Sequence, residues 1–380
     1  MVRGKISRLL VHDVRFPTSL GGHGSDAMHT DPDYSAAYVV LETDAEDGLR
    51  GCGLTFTLGK GTEVDWSRER RGAPGDGSDS ECSVGSVGEA GGKASVEATC
   101  GHEEQMLTHG YPAYTTSCAW LGYPDDLLKQ LTKSASRFKV KVGADLQDDV
   151  RRCRLVRDMI GPEKTLMLDA NQRWDVPEAV EWMSRLAEFK PLWIEEPTSP
   201  DDILGHAAIS KALVPLGIGV ATGEQCHNRV IFKQLLQANA LQFLQIDSCR
   251  LGSVNENLSV NVFLLVPVCP HAGGVGLCEL VQHLIIFDYI SVSASLRNRM
   301  CEYVDHLHEH FKYPVHIKQA SYMPPKDAGY STEMREDSVE KHNYPDGEVW
   351  KKLLAAQENE AFSPMTASSL PTTFSSWLVL

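Results

Sequence analysis

Six apolar runs, each ending in a charged or ionisable side chain, recur through the middle of the sequence and restrict the fold more than any other feature. The first is Arg137-Phe138-Lys139-Val140-Lys141-Val142. Thr165-Leu166-Met167-Leu168-Asp169, Leu192-Trp193-Ile194-Glu195 and Gly219-Val220-Ala221-Thr222-Gly223-Glu224 follow. Phe243-Leu244-Gln245-Ile246-Asp247 and Val266-Pro267-Val268-Cys269-Pro270-His271 complete the set. Steps of 26, 29, 23 and 24 residues separate Asp169, Glu195, Glu224, Asp247 and His271, and each step has room for one strand, one helix and two loops. Helical stretches over 145–160, 177–189, 199–213 and 229–240 fill the gaps. Repeated βα units imply right-handed crossovers and a parallel sheet of buried strands. With Tyr114 to Trp120 before the set and Tyr289 to Ala294 after it, the strands number eight, which predicts a (β/α)8-type, modified TIM barrel.

Ahead of the barrel, residues 6–16, 36–44 and 51–57 alternate like strands, with a glycine-rich loop at Leu20 to Asp26. The fold class is therefore α/β, a barrel preceded by a small α+β domain. Residues 65–102 are rich in Gly and Ser with almost no large apolar side chains, a composition that cannot bury a core. The domains expected are 1–64 (sheet), 65–110 (irregular), 111–325 (barrel) and 326–380 (a C-terminal extension whose end, from Glu358, is a loose tail).

A net charge of −15 excludes the basic footprint of a nucleic-acid-binding protein. No apolar run is long enough to span a bilayer, and Met1 to Phe16 lacks the apolar centre of a signal peptide. Ten cysteines without paired spacing read as reduced thiols inside a cell. An assembly of identical copies is compatible with the sequence; nucleic acid and membrane are not expected as partners.

In such a barrel, functional groups collect at the C-terminal ends of the strands. Asp169, Glu195 and Glu224, on successive tips, would repel one another unless a cation sits among them, and an all-oxygen set suits Mg²⁺. Capping of helix N-termini and pairing with lysines are the alternatives. Lys139 and Lys141 lie two apart, hence on one side of a strand; positive charge nearby would lower a lysine pKa toward that of a general base. Asp247 and His271 on adjacent strands can form a dyad. His306, His308 and His310 read as a solvated helix rather than a metal site.

This set resembles the enolase superfamily, in its mandelate-racemase-like branch, and within it the L-fuconate dehydratases. The stretches that carry the resemblance are Phe16 to Asp26, Asp169-Ala170-Asn171-Gln172-Arg173-Trp174 and Cys269-Pro270-His271-Ala272-Gly273-Gly274. It implies a Mg²⁺-dependent hydro-lyase acting on an acid sugar, L-fuconate first, with another acid-sugar dehydratase, a racemase of the same superfamily or a catalytically silent, poorly folded isoform as the alternatives. It also implies a mitochondrial setting, while the sequence itself is equally compatible with the cytoplasm. By that resemblance Asp169, Glu195 and Glu224 bind the metal, Lys141 removes the α-proton, and His271, held by Asp247, protonates the departing 3-hydroxyl. Lys139, Asn171 and Glu302 would hold the carboxylate end, while Gly24, Ser25, Asp26 and Tyr34 would read the hydroxyls. The family's capping domain continues with helices where 65–102 stands, so the cap is expected to be incomplete. The chain is also expected to be shortened at 131–136 and 260–265.

Overall fold

Strands buried on both faces need cover on both sides, and the alternation of capped helices with such strands supplies it. The structure, a computed structural model, describes residues 5–30, 32–45, 48–58, 96–116, 120–121, 123–126, 136–252, 254–261, 266–326 and 329–361. An antiparallel sheet comes first, with β1 (Ile6–Arg15), β2 (Tyr34–Thr43) and β3 (Arg50–Leu58) side by side. Then come α1 (Val96–His109), β4 (Tyr111–Thr115), β5 (Arg137–Lys141), α2 (Leu146–Ile160) and β6 (Thr165–Asp169). They are followed by α3 (Val176–Leu186), β7 (Trp193–Glu195), α4 (Ile203–Leu213), β8 (Gly219–Thr222) and α5 (Arg229–Gln237). The last part of the barrel holds β9 (Phe243–Leu244), α6 (Val254–Asn261), α7 (Leu277–Phe287) and β10 (Cys301–Tyr303).

The parallel order β4-β5-β6-β7-β8-β9 is closed into a ring by two further staves. Leu244 bridges Val268 in parallel, and the His271 amide donates to the Ile246 carbonyl at 3.0 Å. The Glu302 amide donates to the Pro270 carbonyl at 3.1 Å, and β10 pairs with β4. Helix starts are written in the sequence: the carboxylates of Asp145, Asp175 and Asp202 and the Asn228 amide oxygen accept from the first-turn amides of α2, α3, α4 and α5. Inside the barrel Tyr114, Met167, Trp193, Ala221, Phe243, Cys269 and Met300 form a buried apolar layer, a solid floor under the mouth.

Three expectations change. The eighth stave is β10, not Tyr289 to Ala294; Asp288–Ser293 is a π-helical turn continuing α7. There Asp288 is buried against Arg299 at 3.1 Å and accepts from Ser293 Oγ at 3.0 Å, so tertiary pairing overrides the β-branched local preference. The first stave is β4, beginning earlier than Tyr114. Within the supposed irregular span 65–110, Val96–His109 is helical. The helix is anchored by the buried Met106, and its end is marked by Gly110 at φ 71°, whose amide donates to the Met106 carbonyl at 2.9 Å. The rest of 65–102, residues 131–135 and 262–265, and the tail beyond 361 lie outside the described residues.

Past the barrel come β11 (His316–Lys318), β12 (Ser321–Met323), α8 (Glu336–His342) and α9 (Glu348–Ala361). This C-terminal part binds the N-terminal sheet. The Tyr344 amide donates to the Asp13 carbonyl at 2.7 Å, and the Trp350 indole N–H to the Arg15 carbonyl at 2.9 Å. The Met334 amide donates to the Tyr38 hydroxyl at 3.2 Å. Truncating the buried Trp350 to Ala should cost about 3 kcal/mol in urea unfolding, from lost packing and a lost hydrogen bond. A variant as stable as its parent would show that α9 does not fasten the sheet.

Candidate active site

The two lysines of β5 leave the strand on the same side and enter a cluster of acids. Lys139 Nζ lies 3.1 Å from Asp169 Oδ2 and 2.9 Å from Glu302 Oε1, and it also donates to Glu195 Oε1. It is wholly buried. Burial alone would lower its pKa, but Glu195 and Glu302 outweigh that and hold it well above the ordinary lysine value. Lys141 Nζ donates to Asp169 Oδ2 at 2.7 Å and Asn171 Oδ1 at 2.9 Å. Its pKa is likewise raised, by Asp169 against burial, so the protein groups by themselves keep this lysine protonated; the expected lowering is absent. Asp169, pushed up by burial, is drawn down to about 2 by the two lysines.

On the opposite side, Asp247 Oδ2 meets His271 Nδ1 at 2.7 Å, while Asp247 Oδ1 accepts from the amides of Cys249 and Arg250 at 2.7 and 2.9 Å. The carboxylate is therefore fixed from both ends and fixes the imidazole in turn. His271 Nε2 lies 3.8 Å from Glu224 Oε2 and 3.6 Å from Glu302 Oε2. Burial would lower the His271 pKa, but Glu224, Glu302 and Asp247 carry it to about 9. Glu302, reached by Lys139, His271 and the Thr116 hydroxyl and accepting the Ala272 amide at 3.0 Å, stays below the usual carboxylate range despite burial.

A cleft open to solvent joins the two sides. Lys141, Asn171, Glu224, His271 and Glu302 line it from the barrel, and Gly24, Asp26 and Tyr34 from the cap. Gly24, at φ 81°, touches the Tyr34 ring so closely that a Cβ would strike it. Asp26 Oδ1 accepts from the amides of Met28 and His29, both at 2.7 Å, and Ser25 Oγ donates to the Gly22 carbonyl at 3.2 Å, so both side chains are engaged within their loop. Lys139, Asp169, Glu195 and Asp247 sit behind the lining. The three histidines after β10 diverge: His308 binds Glu279, and His310 packs on Phe16 and His342. Sequence reasoning missed Phe56, Thr116 and Arg250, which also line the cleft. The spacing of Arg250 three residues after Asp247 is the one signal that could have found it.

Among the described residues no three His, Cys, Asp or Glu side chains converge tightly enough to hold an ion. The Lys139 and Lys141 ammonium groups occupy the space between the acids. The donor set nevertheless fits Mg²⁺: it is all oxygen and buried, and it carries more negative charge than the lysines offset. That surplus is visible at Glu195, pushed up to about 8 by burial and by the neighbouring Asp169.

Residues 125–338 match the family described as Enolase C-terminal domain-like. The chain is 64% identical to human mitochondrial enolase superfamily member 1 over 94% of this chain and the whole of that protein. The crystal structure of that human protein superposes with a TM-score of 0.83 at 63% identity, covering 93% of this chain and 99% of that one. The alignment runs over 450 positions while 94% of 380 residues is used, so roughly 90 positions of the relative are skipped by this chain. L-Galactonate dehydratase of Hypocrea jecorina is 41% identical over 88% of this chain and 92% of that protein. A Streptomyces coelicolor A3(2) racemase with bound magnesium shares the fold at TM-score 0.68 and 23% identity, over 89% of this chain and all of that one.

The folded-state pKa of His271, about 9, lies above its ordinary 6.5, so its stabilising contribution is complete below pH 6.5 and lost as pH rises to about 9. Without divalent ions, the unfolding free energy should fall across that window by on the order of 3 kcal/mol. His271→Asn should flatten the upper part of the fall; an unchanged slope above pH 8 would place its origin elsewhere.

Proposed function

The chain belongs to the enolase superfamily, and from that premise we propose that it is a Mg²⁺-dependent acid-sugar dehydratase converting L-fuconate to 2-dehydro-3-deoxy-L-fuconate and water. One observation carries this reading: a lysine and an Asp-oriented histidine face one cleft, with a metal-type acid set between them. Mg²⁺, held by Asp169, Glu195 and Glu224, would supply positive charge to the substrate carboxylate, where negative charge builds as the α-proton leaves, and would compete with Lys141 for Asp169.

Lys141, with its hold on Asp169 weakened, would first lose its own proton to solvent and then, as the neutral amine, take the proton from C2, with Asn171 left to orient it. The C3–O bond then breaks as His271 Nε2 gives its proton to the departing hydroxyl, so that water leaves and the enol product tautomerises to the keto acid. Asp247 keeps Nδ1 engaged so that Nε2 is the reacting nitrogen. Glu302 and Lys139 hold charge beneath the carboxylate, Lys139 from behind the lining rather than by open contact. Asp26, Ser25 and Gly24 shape the cap loop, and Tyr34, in the cleft lining, would face the hydroxyls.

The substrate choice draws on the Hypocrea jecorina relative, an L-galactonate dehydratase. L-Fuconate is the 6-deoxy form of L-galactonate and keeps its configuration at every other carbon. The apolar part of the cleft, Phe56, Leu58 and Val304, suits a terminal methyl group. We propose a mitochondrial setting from the naming of the human relative alone.

The test is Mg²⁺-dependent 2-keto acid formation from a panel of acid sugars. Lys141→Ala and His271→Ala should each lower kcat at least about 10³-fold. His271→Asn should still exchange the C2 proton for solvent deuterium while making no keto acid. Exchange with inversion at C2 and no loss of water in the parent enzyme would make it a racemase instead. Full keto-acid formation by either alanine variant would remove the assigned roles.

A further inference from the structure

Arg250 contributes a cation to the cleft wall that the proposed reaction does not use. It follows the dyad acid by three residues, and its amide donates to Asp247 Oδ1 at 2.9 Å, so its backbone is tied to the group that orients His271. Its guanidinium lies over the Phe56 ring, 5.3 Å from the centroid, and that ring in turn lies 6.1 Å from the His271 imidazole. Among the described residues no carboxylate is within ion-pair distance of it, and its shielded Nε has no hydrogen-bond acceptor. In a chain with 51 acidic and 36 basic residues, an unpaired guanidinium beside an acid cluster is out of place unless a ligand completes it. A shielded donor without an acceptor is a defect in the free protein that a bound hydroxyl would repair.

The position along the substrate follows from the proposed reaction, on which this inference rests. If Lys141 works at C2 and His271 at the C3 oxygen, the group one aromatic ring beyond His271 meets the chain after C3. Phe56 supplies a flat apolar seat and the guanidinium several donors in one plane, an arrangement suited to neighbouring hydroxyl oxygens. We propose that Arg250, seated on Phe56 of the cap, is a specificity-determining residue that binds the hydroxyls beyond C3 and so makes the enzyme select long acid sugars over short ones. Its pairing with a cap residue means that the selecting group is positioned only when β3 lies on the mouth.

Two probes separate this role from a structural one: L-fuconate, and 2,3-dihydroxybutanoate, which keeps the carboxylate and the C2 and C3 hydroxyls but has none beyond. Binding is measured by calorimetry with Mg²⁺ in the Lys141→Ala background, where turnover does not intervene, and keto-acid formation in the otherwise unaltered enzyme. Arg250→Met should weaken L-fuconate roughly 10- to 100-fold, the loss of one or two hydrogen bonds from a charged donor, and leave the four-carbon acid within about twofold. Arg250→Lys should recover part of the loss, and the pH profile of kcat should not move. Equal weakening of both acids, no weakening of either, or a displaced pH profile would each overturn the assignment and reduce Arg250 to a support for Asp247. If the parent binds neither acid, the acid-sugar reading falls and this inference with it. If the parent binds both and Arg250→Met treats them alike, only the inference falls.

Discussion

A lysine ammonium without access to water holds the catalytic end of this barrel together. Lys139 Nζ gathers Asp169, Glu195 and Glu302 from three different staves. Removing one partner from such a buried cluster is far costlier than losing a surface ion pair, because the charges left behind have neither water nor counter-charge; breaking a buried pair in this way costs about 3–5 kcal/mol. The cluster is only tolerable on a rigid base. Tyr114 lies beneath the ammonium at 5.5 Å, Trp193 packs edge-on against Tyr114, and the Trp193 indole N–H donates to Glu195 Oε2 at 3.2 Å. The apolar layer thus closes the barrel and also aims a carboxylate.

The opposite wall is built by a different device. Asp247 is fixed by two amides of its own loop, so the imidazole inherits a backbone-defined position rather than one set by other charges. The lysine side responds to any change in the acids, since its atoms are shared among them; on the histidine side the acids tune the charge of the imidazole, but its position is set by the backbone-held Asp247. A site that takes up a cation and a substrate benefits from that asymmetry: one wall can rearrange its charges while the other keeps the imidazole in place.

The barrel was legible because each strand tip carried its own marker and helices α2 to α5 their own caps, both local in sequence. Asp169, Glu195, Glu224, Asp247 and His271 fall at the mouth for the reason their spacing implied, namely that one βα unit separates each from the next. What was not legible depends on contacts between distant segments. Tyr289 to Ala294 has the β-branched composition of a strand, yet the buried Asp288–Arg299 pair holds it as a turn. Val96–His109 carries too few apolar residues to announce a helix and is held by long-range packing, the buried Met106 and the His102 ring 5.1 Å from Tyr289. The lowered lysine pKa was expected of a mouth that holds a cation; the protein groups alone, mostly acids, raise it instead.

Phe56 and Arg250 escaped notice for a related reason: neither has a motif, and each acquires meaning from the other across 194 positions of sequence. The cap that brings Phe56 to the mouth is held by the far end of the chain, through the carbonyls of Asp13 and Arg15, the Tyr38 hydroxyl and Thr332 Oγ1 donating to the Cys52 carbonyl at 3.0 Å. Sheet, mouth and C-terminal helices therefore form one mechanical unit in which the barrel supplies the chemistry and the two chain ends supply the selection. A loss within the cap that spared β3 and its C-terminal anchors would leave the Phe56–Arg250 contact standing. A loss of those anchors would free Phe56 without touching a single catalytic group, and selectivity would then fail before catalysis did.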